Sequence, residues 1–269
     1  MKLSIIILNY KSQGHLRQGL RFLRQYVFPF EVEVIVVDNG SGDTSADVTA
    51  KEYPQATFIG MPSNRGYSTG NNVGLRQATG DYVLILNPDT SVYPGAIENL
   101  IKYLEDHPKV GLVAPKLINP DGSTQLSGAL FQSFWIPLWR RSWLGNMPGP
   151  KQQLQRFFIR NWDRTTSRPV GWALGACFMI RRQALQEVGL FDEKFFLYFE
   201  DVDYCRRMWE KNWEVHYVAE AEMIHYLSRT SAVNPGMSGV LSYATRIHIR
   251  SWLRYTVKYF GKKKPLLSM

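Results

Sequence analysis

Leu3 to Leu8 is an apolar run interrupted only by Ser4, and it stops at Asn9-Tyr10, the pattern of a parallel strand covered on both faces. Leu16, Leu20, Leu23 and Val27 then recur at helical spacing, which predicts a helix over residues 13–26 ended by Pro29. Residues 32–37 repeat the strand pattern and run into Asp38-Asn39-Gly40-Ser41-Gly42-Asp43, a turn in which Ser41 or Asp43 can cap the next helix. Residues 56–61 read as a short third strand, and a polar loop from Ser63 to Gly70 leads into a helix to about Ala78. A fully apolar strand over 82–86 halts at Asn87-Pro88-Asp89. A helix over 94–106, with proline in its first turn, and a strand over 110–114 complete a βαβ alternation. Connections of this kind are right-handed and bring strand ends to one edge, where open parallel sheets bind ligands. Asn9, Asp38, Ser63-Asn64 and Asn87–Asp89 are therefore expected to converge.

The second half is less regular. Asn119-Pro120-Asp121-Gly122 predicts a turn in a hairpin over 116–130, and 131–165 is an aromatic, basic insertion cut into short helical pieces by Pro137, Pro148 and Pro150. Residues 171–180 read as one apolar strand and 182–188 as a short helix. An aromatic and acidic stretch then enters a helix near Asp201, a strand covers 215–218, and His225 follows in an extended or loop segment. From about Gly239 to Tyr259 a helix is expected, with Arg246, Arg250, Arg254 and Lys258 every four residues. The expected architecture is a single α/β domain with a mostly parallel central sheet.

Composition narrows the class. The chain of 269 residues is 45% hydrophobic and 20% charged, which excludes disorder, and no apolar run approaches the roughly 18–20 residues of a membrane span. The opening MKLSIIILNY has no small-residue cleavage site and reads as the first strand of a cytosolic domain. Cys177 and Cys205 are too few for a disulfide framework or a thiolate metal site. The net charge of +9 is uneven: residues 131–170 and 240–269 each hold seven Lys or Arg, against a single acid, Asp163. With Trp, Phe and Leu interleaved and no nucleic-acid module, these tracts read first as a bilayer-facing surface. A merely solvated basic face and a dimer contact are the competing readings.

Three clusters carry candidate chemistry. Asp89 at an anchored strand end can hold Mg²⁺ or Mn²⁺ against a diphosphate, although Asn-Pro-Asp-Thr is also an ordinary capped turn. Glu200, Asp201 and Asp203 place three acids within four residues beside Phe195, Phe196, Tyr198 and Phe199. Helix capping accounts for one or two of them and not readily for all three, which leaves a general base among them. His225 on local sequence is an ordinary histidine or a metal ligand. The dinucleotide fingerprint, Walker A, HExxH and GxSxG are all absent from the sequence.

In order along the chain, NYKS at 9–12, VVDNGSGD at 36–43, SNRGYSTGNNVG at 63–74, GDYVLILNPDT at 80–90, WALGACFMIRR at 172–182, FDEKFFLYFEDVDYCRR at 191–207 and His225 resemble family 2 glycosyltransferases of the rhamnosyltransferase-like branch. The resemblance implies a GT-A-type nucleotide-diphospho-sugar transferase fold over residues 1–230. Residues 1–115 would be the nucleotide-sugar half, 116–230 the acceptor-side half, and 231–269 a basic amphipathic helix and tail. It implies donor contacts from Asn9, Tyr10, Asp38, Asn39, Asn64, Arg65, Asn87 and Asp89. It places Mn²⁺ or Mg²⁺ on Asp89 and His225, with uncharged Asn87 standing where the family's first metal-site aspartate falls. Asp201 matches the catalytic base with Glu200 beside it, and Trp172, Gly175, Ala176 and Asp203 would shape the acceptor and sugar pocket. The implied reaction inverts the anomeric carbon of a sugar, with rhamnose the branch expectation, carried on a dTDP or UDP donor. A glycan or lipid-linked glycan would accept it at the cytoplasmic face of a membrane. Trp135, Trp139, Trp143 and Trp252 would meet that membrane through 131–165 and 239–264. A catalytically silent nucleotide-sugar-binding protein and a nucleotidyltransferase are the alternatives.

Overall fold

A computed structural model of the chain describes residues 1–226 and 242–267. The domain boundary expected at 230/231 and the helix start expected at Gly239 lie outside these residues.

The first half follows the strand–helix alternation. Its elements are β1 (Lys2–Asn9), α1 (Gln13–Gln25), β2 (Glu31–Asp38), α2 (Ser45–Glu52), β3 (Thr57–Gly60), α3 (Gly66–Gln77) and β4 (Tyr82–Leu86), with β3, β2, β1 and β4 side by side and parallel. Alternation along β1 divides the core between two faces. Leu3, Ile5 and Ile7 pack with Leu16, Leu20 and Leu23 of α1, while Ile6 joins Ile35, Val37 and Leu75 on the other side. Each fully buried aliphatic side chain is worth about 1.5–3 kcal/mol. Val27 lies beyond α1 and is 89% exposed, so the apolar spacing overran the helix by two residues.

β5 (Thr90–Val92), α4 (Ala96–Asp106) and β6 (Val110–Ile118) follow. Pro94 sits ahead of α4 rather than in its first turn, because Gly95, in the left-handed region, is the N-cap. The remainder comprises β7 (Gly128–Ala129), α5 (Trp135–Arg141), a 3-10 turn (Trp143–Asn146), α6 (Pro148–Phe157), β8 (Arg168–Pro169), β9 (Trp172–Ala173), β10 (Cys177–Arg181), α7 (Arg182–Val188), α8 (Glu200–Glu210), β11 (Glu214–His225) and α9 (Tyr243–Lys258). Among the described residues nine strands form one sheet in the order β3-β2-β1-β4-β10-β6-β11-β5, with β8 also on β11. β10 runs antiparallel to both neighbours, and β5 and β8 run antiparallel to β11, so the sheet is mixed but mostly parallel.

Two expectations need correction. Residues 171–180 form two strands, not one: β9 leaves to pair with β7, and the chain turns through Leu174-Gly175-Ala176 before β10. The Asn119–Gly122 turn forms, but its flanks share only the bridge between Ile118 and Thr124 instead of a full hairpin.

Candidate active site

The carboxyl ends of β1 and β2 are paired so that Asn9 stands opposite Asp38. Asn9 Nδ2 donates to Asp38 Oδ1 at 2.8 Å and to Ser45 Oγ at 2.9 Å, and the Ser41 amide donates to Asp38 Oδ2 at 3.0 Å. Asn39 Nδ2 donates to Asn64 Oδ1 at 3.0 Å, while Asn39 Oδ1 accepts the Arg65 amide at 2.9 Å. These polar groups, buried except for Asn64 and Arg65, knit three strand-end loops into one rim. Tyr10 and the Arg65 side chain are exposed on it. A cavity of about 730 Å³ opens beside the rim, lined by Lys11, Ser12, His15, Ser41, Asp43 and Asp89 among others.

Asp89 and His225, 136 positions apart in the chain, meet because β5 pairs antiparallel with β11, setting Thr90 opposite His225. The Tyr226 amide donates to the Asp89 carbonyl at 2.9 Å, which fixes the turn, and His225 Nε2 stands 3.7 Å from Asp89 Oδ1. Burial pushes the His225 pKa down against the opposing pull of Asp89, which favours the neutral, metal-ligating imidazole. Asp89 Oδ1 is buried and accepts no hydrogen bond. Asp89 and His225 together could hold a cation, and among the described residues no third His, Cys, Asp or Glu completes the set. Mg²⁺ and Mn²⁺ commonly keep remaining positions for water and substrate phosphate, so a two-residue protein set fits a diphosphate-bridging ion.

The acid pair opens α8. Tyr198 and Phe199, with φ of 66° and 68°, are both left-handed, a conformation that costs a bulky residue about 1–3 kcal/mol. This bend turns the chain from its aromatic run so that Glu200 and Asp201 begin the helix, both buried. Asp201 Oδ2 accepts the Gly175 amide at 3.0 Å and Oδ1 accepts the Val202 amide at 2.8 Å. The Asn87 amide donates to the Ala176 carbonyl at 2.9 Å, so the turn between β9 and β10 joins Asp201 to the Asp89 loop. A Cβ on Gly175 would stand 3.1 Å from the Asp201 Cβ, which is why the tight approach uses glycine there. Burial raises the Asp201 pKa and the two amides oppose it; burial, then the Asp201 charge, pushes Glu200 well above the carboxylate range. Glu200 Oε2 has no hydrogen-bond partner.

Sequence reasoning passed over two residues here. The Tyr67 hydroxyl donates to the Gly175 carbonyl, and the Tyr67 amide donates to the Phe196 carbonyl at 2.7 Å, so the start of α3 props both the turn and the acidic loop. Gly66 permits this contact: with φ of 88°, its Cβ would lie 2.3 Å from the Phe196 oxygen. Gln125 touches the His225 ring. A tyrosine inside a glycine-rich loop and a glutamine after a turn carry no local signal of either contact.

Asp203 does not join the acid pair. It faces the seam with α9, where Oδ2 accepts Arg207 Nε at 2.9 Å and Oδ1 meets both Lys258 Nζ at 2.7 Å and the Tyr259 hydroxyl at 2.8 Å. Arg206 lies 3.7 Å above the Tyr259 ring, and Ser251 Oγ donates to the Leu197 carbonyl at 2.8 Å. Phe195, Phe199, Val202, Trp252, Tyr255 and Tyr259 form a separate cluster in the seam. Trp252, expected at a membrane surface, is instead buried here and packs on Phe134. Trp172 stacks on Phe157.

A strand-edge rim beside a cavity, the Asp89–His225 pair and a buried acid pair lie together on one mixed sheet of the GT-A class. The chain belongs to glycosyl transferase family 2, whose pattern it matches over residues 4–189, and it is a glycosyltransferase. It is 30% identical over 255 residues to the N-acetylglucosaminyl-diphospho-decaprenol L-rhamnosyltransferase of Mycobacterium tuberculosis, covering 87% of this chain and 78% of that protein. It is 27% identical to the low-salt glycan biosynthesis hexosyltransferase Agl10 of Haloferax volcanii, covering 83% of this chain and 66% of the relative. Its fold matches GalNAc-T7, solved with UDP, GalNAc and Mn²⁺, with a TM-score of 0.64 at 18% identity, over 84% of this chain and 44% of that one. It also matches the mannosyltransferase PcManGT of Pyrobaculum calidifontis, solved with GDP-Man and Mn²⁺, with a TM-score of 0.58 at 16% identity, over 95% of this chain and 75% of that one.

Proposed function

We propose that the chain is an inverting, metal-dependent transferase that moves a sugar, rhamnose first among candidates, from a dTDP or UDP donor to a lipid-linked glycan in cell-surface polysaccharide synthesis. The observation that carries this reading is the convergence of Asp89 and His225 at 3.7 Å, with Asp201 tied to the same loop through Gly175-Ala176. Residues 1–230 are taken as the transferase domain. Asn9, Tyr10, Asp38, Asn39, Asn64, Arg65 and Asn87 form the donor rim, and Trp172, Gly175 and Ala176 the acceptor side. Asp201 takes the acceptor hydroxyl proton as that oxygen bonds to C1 of the sugar and the bond from C1 to the diphosphate oxygen breaks. Each Asp201 oxygen accepts one backbone N–H, at 3.0 and 2.8 Å, which holds the carboxylate in place. Burial and the Asp201 charge raise the Glu200 pKa, which favours its neutral form and spares Asp201 a like charge. A divalent cation on Asp89 and His225, when bound, offsets negative charge on the departing diphosphate. The M. tuberculosis relative, named for a decaprenol-linked acceptor, supports the lipid-linked substrate class.

Thermal unfolding with nucleoside diphosphates, nucleotide sugars and Mn²⁺ tests the donor. Saturation at about 100 times Kd adds roughly 2.7 kcal/mol to the folded state. The expected result is a rise in Tm with dTDP or UDP that grows when Mn²⁺ is present and shrinks when it is chelated. No rise with any nucleotide would remove the reading.

The basic tracts supply the contact with the acceptor's membrane, at its cytoplasmic face. No helix among the described residues is long and apolar enough to cross a bilayer. The outer face of α9 exposes Arg246, Ile249, Arg250, Leu253 and Val257 at helical spacing, and Trp135 and Trp143 of the insertion are exposed. That mixture suits lipid phosphates and the headgroup–acyl boundary. Vesicles with anionic lipid should bind the chain at low salt and release it at high salt, as cosedimentation would show. No binding at low salt would rule out this docking, and a dimer at dilute concentration would assign the face to a second copy.

A further inference from the structure

Gln125 has none of the roles assigned above, yet it is buried and fully engaged. Its Nε2 donates to the His225 carbonyl at 2.8 Å and to Asn119 Oδ1 at 2.8 Å. Asn119 is itself oriented: the Ser123 hydroxyl donates to Asp121 Oδ1 at 2.6 Å and so accepts from Asn119 Nδ2 at 2.8 Å, which leaves the Asn119 oxygen for Gln125. The Gln125 backbone is held too, its amide donating to the Leu117 carbonyl at 2.8 Å. With both Nε2 hydrogens directed at oxygens, the Gln125 Oε1 atom must be the one facing His225 Nδ1, at 3.0 Å. An amide oxygen only accepts, so Nδ1 carries a proton, and the neutral ring then presents an Nε2 lone pair toward Asp89 Oδ1, 3.7 Å away. That carboxylate oxygen is buried without a hydrogen-bond partner, so two lone pairs face one point with no proton between them.

We propose that Gln125 is a positioning residue: it fixes the Nδ1–H tautomer of His225 and thereby keeps Nε2 and Asp89 Oδ1 together as donors to a divalent cation. The inference rests on the metal reading given under Proposed function and adds the group that prepares the site for the ion. If the amide were reversed, its N–H would meet Nδ1 and its oxygen would meet the His225 carbonyl and the Asn119 oxygen, three groups with nothing to donate. The ring would then carry its proton on Nε2, where a metal could not bind without displacing it. Residues 119–125 would thus serve as the outer shell of the site, although none of them reaches the ion.

Two measurements on the full chain test this. Long-range ¹⁵N–¹H NMR correlation reads the His225 tautomer directly in the metal-free protein, and the Nδ1–H form is expected. An Nε2–H ring in the unmodified protein would overturn the proposal without any variant. Titration with Mn²⁺ alone as the probe, followed by the EPR signal of the free ion with UDP present, reads the site itself. Gln125→Leu, which keeps the bulk and removes the acceptor, should weaken Mn²⁺ binding by about 10- to 100-fold. Gln125→Glu, which still offers the ring an oxygen, should lose less than the leucine variant. UDP affinity without metal should stay at its original value in both. Equal Mn²⁺ affinity in the original protein and Gln125→Leu would overturn the role of Gln125 alone. Failure of the original protein to bind Mn²⁺ would overturn the metal reading beneath it.

Discussion

Asp201→Asn should lower transfer by about a thousandfold, inside the 10²–10⁴ range typical of a general base, while nucleotide affinity is retained. The charge is what matters. An asparagine keeps one oxygen to accept either Gly175 N–H or Val202 N–H, the two amides that hold the carboxylate at 3.0 and 2.8 Å. Its NH₂ group must face the other amide, donor against donor, at a cost of about 1–3 kcal/mol in stability. That loss leaves the rim at β1 and β2 intact, because Asn9, Asp38 and Asn39 bond to one another and to neighbouring loops, not to α8. Nucleotide release from dTDP-rhamnose and UDP-sugars, measured beside nucleotide binding and thermal unfolding, separates the effects. Turnover near the original rate would remove Asp201 as the base; lost nucleotide binding would show that the change reaches beyond the acid pair.

Asp203→Ala should destabilise the protein by about 3 kcal/mol and loosen α9, although Asp203 lies two positions from Asp201. The carboxylate is buried and holds Arg207, Lys258 and Tyr259. Deletion leaves a cavity and takes the carboxylate from Arg207, while Lys258 keeps Asp192 Oδ2 at 2.7 Å. Arg207 and Lys258 keep 18% and 29% of their side-chain surface exposed, so water partly screens them and the loss falls toward the low end of the 3–5 kcal/mol seen for fully buried pairs. Urea unfolding gives the magnitude, and hydrogen exchange over α9 gives the place. A change under about 0.5 kcal/mol, the scale of an ordinary surface substitution, would mean that packing alone holds the seam.

The mistaken role for Asp203 shows where sequence stops being legible. Three acids in four residues look like one cluster, but each helical step turns about 100°, so Asp203 points roughly 200° around α8 from Asp201. The turns and strands of the first half could be read locally because each buries its own apolar run. Tyr82–Leu86 forms within the expected limits, and in the second half so does the helix Arg182–Val188. The meeting of Asp89 with His225 could not be read that way. It depends on β5 choosing β11 as its partner, and residue spacing does not encode that choice. Residues 171–180 misled for a related reason: an apolar stretch shows no break where Gly175-Ala176 turns to serve Asp201 and Asn87. Gln125 and Tyr67 act through single hydrogen bonds across long sequence separations, which leave no periodic trace. The aromatic–basic pattern of the last helix was visible, but not its division. Trp252, Tyr255 and Lys258 face inward to the acidic loop, and Ile249, Leu253 and Val257 face outward.

That division gives α9 an inner face that braces the acidic loop and an outer face that is exposed. A shortened chain ending near residue 230 would retain the whole nine-stranded sheet, its rim and its Asp89–His225 pair, and so could still hold a nucleotide. It would lose the Ser251 and Tyr259 hydroxyls and the Lys258 ammonium that brace the loop around Leu197 and Asp203. Trimming the tail to obtain a better-behaved protein would therefore produce a competent binder with a poorly aimed base.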